Sequence, residues 1–133
     1  MAALKFELVS PEKMIISRDV AMVTVPGGEG DYSVLPGHAP MITTLRPGVI
    51  DVYDSEDGTP KDRLFVAGGF AEVNNLRCTI LAEQATPVDK LDRASIEQET
   101  RRLTESSANA PDAERAAAEK ELLVLRAMLQ AAA

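Results

Sequence analysis

Histidine and cysteine are nearly missing from this sequence, which contains one of each, His38 and Cys78. A multi-histidine metal site and a disulfide framework both need more of these residues, and no Cys–His or Ser–His–Asp signature surrounds the single histidine. The sequence therefore predicts no catalytic residues and no metal ligands. An enzyme using carboxylates alone stays an open alternative. Cys78 lies in a strand-like run and is expected to be a small buried hydrophobic residue.

Tryptophan is absent, aromatic residues make up 4%, and acidic residues outnumber basic ones 21 to 14. Few aromatic side chains argue against a carbohydrate or single-stranded nucleic-acid platform, and a net charge of −7 repels a phosphate backbone. The start "MAALKFELVS" lacks a secretion signal pattern, and no apolar run approaches a membrane span. We expect a soluble, unsecreted protein that binds no nucleic acid and does not insert into the membrane.

In the first two thirds of the chain, apolar and polar residues alternate with a period of two. Leu4, Phe6 and Leu8 alternate with Lys5 and Glu7, and residues 49–53 and 76–80, the latter beginning with Leu76, behave likewise. Proline–glycine turn signals separate these runs. Many short strands at such spacing predict an antiparallel sandwich or flattened barrel over residues 1–86.

After Thr86 the period becomes helical. Thr86 is predicted as an N-cap with Pro87 at the first helical position, and Asp89 is expected to pair with Arg93 one turn later. Residues 105–112 break this helix, and a second helix is expected to turn one stripe towards the first: Ala113, Ala116, Ala117, Lys120, Val124, Ala127 and Met128. The prediction is an α+β chain with a β-sandwich domain, 1–86, and an antiparallel helical hairpin domain, 87–133.

Residues 25–40, "VPGGEGDYSVLPGHAP", raise the question of a phosphate-binding loop. Such a loop needs a helix N-terminus after it, whereas "DYSVL" is strand-like and the acidic Glu29 and Asp31 would repel phosphate. The prolines and glycines instead predict a rigid corner suited to a protein partner. His38 is either a half-buried imidazole bonded to the backbone or a rim residue at the partner surface.

Several stretches in the right order carry a family resemblance: "GGEGDYSVLPGHAP", "TTLRPGVIDV", "VAGGFAEV" and the Thr-Pro that precedes the hairpin. Together they resemble the epsilon subunits of F-type ATP synthases, called delta in mitochondria. The similarity runs from "FELVSPEKMI" to the last helix. A stand-alone β-sandwich binding module is the alternative.

The resemblance implies a flattened, ten-stranded sandwich followed by a helix pair. It also implies a non-catalytic central-stalk subunit of the proton-translocating rotor, at the cytoplasmic face of the bacterial inner membrane. Members lie against the gamma subunit and on polar loops of the membrane-embedded c ring. The glycine-rich corner matches the ring-facing end, so Glu29, Asp31 and His38 are implied docking residues.

The resemblance also concerns the hairpin, which in many members opens towards the alpha and beta subunits and inhibits ATP hydrolysis. Some members bind ATP through an aliphatic residue, Asp, two residues, Arg and Ala. Here the corresponding residues are Asp89, Arg93 and Ala94, with one residue too many between the first two. On one helix this shift turns the arginine by about 100°. We therefore expect no cofactor, weak or no ATP binding and at most mild inhibition.

Overall fold

The computed structural model describes residues 3–55 and 58–132 of the chain. Ten strands precede a short 3-10 helix and two α-helices in this part: β1 Leu4–Val9, β2 Met14–Val20, β3 Met22–Gly27, β4 Gly30–Val34, β5 Met41–Leu45, β6 Gly48–Tyr53, β7 Asp62–Val66, β8 Gly69–Val73, β9 Arg77–Ala82, β10 Ala85–Pro87, the 3-10 helix Val88–Lys90, α1 Arg93–Ser107 and α2 Asp112–Ala132. The chain divides into two compact units, Met1–Pro87 and Val88–Ala133. The predicted domain boundary after residue 86 lies one residue before this division.

The strands of the first unit form one continuous sheet in the order β10-β7-β6-β3-β5-β8-β9-β1-β2, and β4 pairs with β3. The β1–β9 pair is parallel, with Phe6 opposite Cys78, and the other described strand pairs are antiparallel. This arrangement, followed by two helices, confirms the predicted fold class of a ten-stranded sandwich with a C-terminal helical hairpin.

Alternation along the strands builds the core, as the sequence predicted. Leu4, Phe6 and Leu8 are fully buried. Leu76 is the exception, because 62% of its surface is exposed and β9 begins one residue later. The amide oxygen of Asn74 accepts hydrogen bonds from the backbone N–H groups of Leu76 and Arg77, at 2.9 and 2.8 Å. This Asx turn places Leu76 in the loop rather than in the strand.

Cys78 is a buried core residue, as expected. Burial raises the pKa of its thiol to about 12. The thiol therefore stays protonated near neutral pH, which suits a packing residue and not a nucleophile.

The predicted helix start at Thr86 is wrong. Thr86 pairs with Phe65 of β7, and α1 begins only at Arg93. Its N-cap is Asp92, which accepts hydrogen bonds from the backbone N–H groups of Ala94 and Ser95, at 3.1 and 3.5 Å. Strand pairing with a distant part of the chain thus overrides the local Thr-Pro capping pattern.

The helical unit is an antiparallel hairpin, because Arg93 at the start of α1 donates to the carbonyl of Leu129 near the end of α2, at 3.5 Å. Its two helices are separated within residues 105–112, as predicted. The first half of the predicted stripe is wrong, because Ala113, Ala116, Ala117 and Lys120 are exposed. Its second half holds, since Val124 is buried and Ala127 and Met128 are half-buried. The buried side chains of α2 are Ala118, Val124 and Leu125. Ala118 and Leu125 are two turns apart, so burial follows the face that carries the large leucine.

Neither α-helix, as far as the described residues extend, is long and apolar enough to cross a membrane.

Residues 1–87 are expected to fold without the helices, because every buried residue of the sandwich core cluster lies between Leu4 and Ala82. A fragment ending after Pro87 keeps β10 paired with β7 and should give dispersed β-type amide signals by NMR. A matched fragment ending at Gln84 lacks β10 and should unfold at lower urea concentration. Random-coil signals from the longer fragment would contradict domain independence.

Candidate functional site: the glycine-rich corner

The corner is defined as the tip of the β3–β4 hairpin, residues 27–31, together with the facing strand β5 and His38. Gly27 pairs with Gly30, so Gly28 and Glu29 form a two-residue loop. Gly30 has a φ of +145°, which favours glycine over residues with a side chain. The glycines therefore build a tight, projecting hairpin rather than an anion cradle.

Strand β5 holds the hairpin tip at two points. The backbone N–H of Gly28 donates to the carbonyl of Thr44 at 2.9 Å. The hydroxyl of Tyr32 lies 2.6 Å from that of Thr43, and burial raises the pKa of the tyrosine. These contacts join the hairpin loop and β4 to β5, whose pairing with β3 is confined to Gly27 and Leu45.

Arg46 provides a third connection that the sequence analysis missed. Its backbone N–H donates to the carbonyl of Pro26 at 3.0 Å, and Nη1 donates to the carbonyl of Gly27 at 2.7 Å. Its Nη2 pairs with the carboxylate of Asp31. No local pattern marks such a residue, because its partners lie 15 and 19 positions away and meet it only through the fold.

The three predicted docking residues lie in one groove of about 730 Å³, which is also lined by residues 41–44. Glu29 and Asp31 are exposed and His38 is half-buried. His38 Nδ1 lies 2.8 Å from the carbonyl oxygen of Ala39, and its ring centroid lies 6.4 Å from that of Tyr32. His38 is therefore a half-buried, backbone-bonded imidazole that also lines the groove, and its role at a partner surface stays a prediction.

A second surface was also missed. Ile42, Phe70 and Leu81 are 74%, 55% and 51% exposed and lie on the adjacent strands β5, β8 and β9. Phe70 is opposite both Thr44 and Leu81, which places these side chains on one face of the sheet. We call Ile42, Phe70 and Leu81 the apolar sheet face. Adjacent exposed apolar side chains of this size are typical of protein-binding surfaces.

The residues that correspond to the ATP-binding motif, Asp89, Arg93 and Ala94, are arranged differently from the expectation. Asp89 lies in the 3-10 helix and Arg93 begins α1, so the expectation that both lie on one helix is wrong. Arg93 Nε donates to Glu97 at 3.1 Å. The N–H of Ala94, which could have met a phosphate, donates to Asp92.

Metal ligation has no candidate in residues 3–55 and 58–132, where no group of three or more His, Cys, Asp or Glu side chains could hold an ion.

Comparison with known proteins gives concordant results. Residues 3–88 match the family model of the ATP synthase delta/epsilon chain, β-sandwich domain. The chain is 53% identical over 130 residues to an ATP synthase epsilon chain of Rhodospirillum centenum, covering 95% of this chain and 89% of that one. It is 49% identical over 131 residues to the epsilon chain of Paramagnetospirillum magneticum, covering 98% and 97%.

Solved structures show the same relationship. A chain in the cryo-EM structure of the Euglena gracilis mitochondrial ATP synthase, OSCP/F1/c-ring, matches with a TM-score of 0.85 and 26% identity, covering 98% of this chain and 82% of that one. A chain of the Tetrahymena thermophila central stalk/c-ring shares the fold, with a TM-score of 0.72 and 16% identity.

The chain belongs to the delta/epsilon family of ATP synthase subunits. The predicted resemblance and the predicted function as a rotor subunit of the synthase are thereby confirmed. A stand-alone binding module is not favoured.

Proposed function

We propose that this chain is a non-catalytic subunit of the central stalk that links the gamma subunit to the c ring and couples rotation to ATP synthesis. The complex containing it lies at the cytoplasmic face of the bacterial inner membrane, with this chain peripheral. The observation that carries the proposal is the presence of two chemically different exposed surfaces on one sandwich, the charged corner and the apolar sheet face. A linking subunit needs two such surfaces.

The corner suits the polar loops of a c ring. Its tip projects Glu29 and Asp31 from a hairpin with a two-residue loop, and backbone hydrogen bonds to β5 and Arg46 restrain its motion. A rigid acidic tip loses little conformational entropy when it docks onto a polar or basic loop. His38 lines the same groove and contributes to the rim of this contact.

The apolar sheet face suits the gamma subunit. Large apolar side chains exposed on three adjacent strands gain free energy when a partner removes them from water. Ile42 belongs both to this face and to the corner groove, so the two surfaces are continuous on β5. A force received at the corner therefore reaches the apolar sheet face through the strand that they share.

A native pull-down of the chain from membranes tests this proposal. Gamma and c subunits should co-purify with the unmodified chain, and Phe70→Asp should release gamma. Leu76→Asp is the matched control, because Leu76 is similarly exposed but lies in the β8–β9 turn. Elution of the unmodified chain alone, or retention of gamma by Phe70→Asp, would contradict the assignment. ATP turnover by the purified chain would contradict its non-catalytic role.

The helical hairpin is expected to bind ATP weakly or not at all and to inhibit hydrolysis mildly at most. Residues 87–133 carry seven basic and nine acidic side chains, so electrostatic attraction to an acidic segment of the alpha or beta subunits is small. Arg93 is engaged by Glu97 and by the carbonyl of Leu129.

Calorimetry of the isolated chain should show no tight ATP site, and deleting residues 88–133 should change hydrolysis by the complex less than about twofold. A severalfold rise in hydrolysis would show that the hairpin inhibits strongly. Micromolar ATP binding that Arg93→Ala abolishes would instead establish a nucleotide site.

A further inference from the structure

The tip of the corner is bridged by one guanidinium. Arg46 Nη1 donates to the carbonyl of Gly27 on β3, and Nη2 pairs with the carboxylate of Asp31 on β4. Gly27 and Asp31 flank the Gly28-Glu29 loop on opposite strands. Arg46 therefore holds both strands of the hairpin tip at the point where the chain reverses.

Arg46 is itself fixed from two sides. Its backbone N–H donates to Pro26, and the preceding Leu45 pairs with Gly27. The following Pro47 restricts the backbone of Arg46 to extended conformations. An anchored backbone lets the side chain order the tip at a low entropic cost.

The two carboxylates of the tip differ in their contacts with Arg46. Asp31 is neutralised by Arg46, whereas Glu29 forms no ion pair or side-chain hydrogen bond with any of the described residues. The tip thus carries one uncompensated negative charge, on Glu29, at the outermost loop position.

From these contacts we infer that Arg46 is the positioning residue of the docking corner. It fixes the shape of the tip, retains Asp31 as its own partner, and leaves Glu29 as the carboxylate that pairs with a basic or polar loop of the partner. This inference rests on the proposed docking function of the corner and assigns different roles to Glu29 and Asp31, which the resemblance implied together as docking residues. A planar guanidinium suits the role because it can hold a carbonyl and a carboxylate at once.

Two explanations predict opposite effects of Arg46→Gln on binding to the partner: positioning of the tip by Arg46, and long-range electrostatic attraction by the tip. The substitution leaves Asp31 uncompensated and doubles the negative charge of the tip, so attraction alone would strengthen binding to a basic loop. Loss of positioning should weaken binding instead, because a mobile tip must be ordered on docking.

The first measurement uses the free chain and amide hydrogen exchange at residues 28–31. Arg46→Gln and Asp31→Asn should each accelerate exchange about three- to tenfold, and the double variant should add little, since both remove the same pair. Glu29→Gln and Arg63→Gln should leave these amides unchanged. Arg63 is the matched control because it pairs with Asp51 elsewhere in the sandwich, at 2.8 Å. Unchanged exchange in Arg46→Gln, or additive effects of the two single changes, overturns the inference.

The second measurement is binding to the synthase complex depleted of this subunit. Glu29→Gln and Arg46→Gln should each weaken binding about fivefold or more. Of the two, only Glu29→Gln should also make the binding affinity less dependent on salt concentration. Tighter binding by Arg46→Gln overturns the inference. Accelerated exchange combined with unchanged binding in every variant overturns the docking function of the corner, while the bridge within the free chain stands.

Discussion

Gly69→Ala should lower the free energy of unfolding of the sandwich by about 3–5 kcal/mol. Gly69 has a φ of +139°, and a Cβ at this position would lie 2.0 Å from the carbonyl oxygen of Leu81. Two further backbone atoms, the carbonyl carbon of Leu81 and Cα of Ala82, lie within 3.1 Å. Relief of this clash requires β8 and β9 to separate, because none of these atoms belongs to a flexible side chain.

Gly30→Ala is the matched control for this experiment. Gly30 has a similar φ of +145°, but no atom lies within 4 Å of a Cβ added there. Gly30→Ala should therefore lower the free energy of unfolding only by the cost of backbone strain, about 1–2 kcal/mol. Urea unfolding followed by circular dichroism compares the two variants. Equal destabilisation would mean that β8 and β9 can accommodate the methyl group and that the clash is not the dominant cost.

Glu29→Lys should reduce the affinity of the chain for the depleted synthase at least about tenfold at low ionic strength. Glu29 is exposed at the outermost position of the tip, so under the proposed docking function reversal of its charge should change the encounter with a polar or basic loop without touching the core. The loss should shrink as salt screens the interaction, and the circular dichroism spectrum should remain that of the folded chain.

Glu12→Lys is the control for charge reversal as such, since Glu12 is exposed in the turn between β1 and β2. Asp31→Lys is less informative, because the new ammonium group would face Arg46 and loosen the tip itself. Normal affinity of Glu29→Lys at low salt would remove Glu29 from the interface.

Local sequence patterns predicted the features of the fold that depend on residues close together in the chain. Alternation placed Leu4, Phe6 and Leu8 in the core, and turn residues separated the strands correctly at most positions. The glycine-rich segment was predicted to be a corner rather than a phosphate loop, and a strand follows it, as "DYSVL" indicated. Each of these features depends on side-chain periodicity or backbone preference within a few residues.

The failures share a different cause, which is pairing between distant segments. The local Thr-Pro pattern predicts a helix start at Thr86, whereas Thr86 pairs with Phe65 in a strand that is distant in the sequence. Arg46 was overlooked because the carbonyl of Gly27 and the carboxylate of Asp31 reach it only after β3, β4 and β5 assemble. The apolar sheet face was missed because alternation shows two faces of a strand but not which of them meets a partner.

The parallel pairing of β1 with β9 bears on how the chain is made. β1 leaves the ribosome first, whereas its partner, Arg77–Ala82, belongs to the last part of the sandwich. At synthesis rates of roughly 5–20 residues per second the interval is about 4–14 s, which is long compared with the formation of a β-hairpin. During it β1 can pair with β2 but cannot bury Phe6 against Cys78. Until β9 emerges, the nascent sandwich therefore exposes apolar side chains of β1 to solvent, and the sheet can close only when its last strands have left the ribosome.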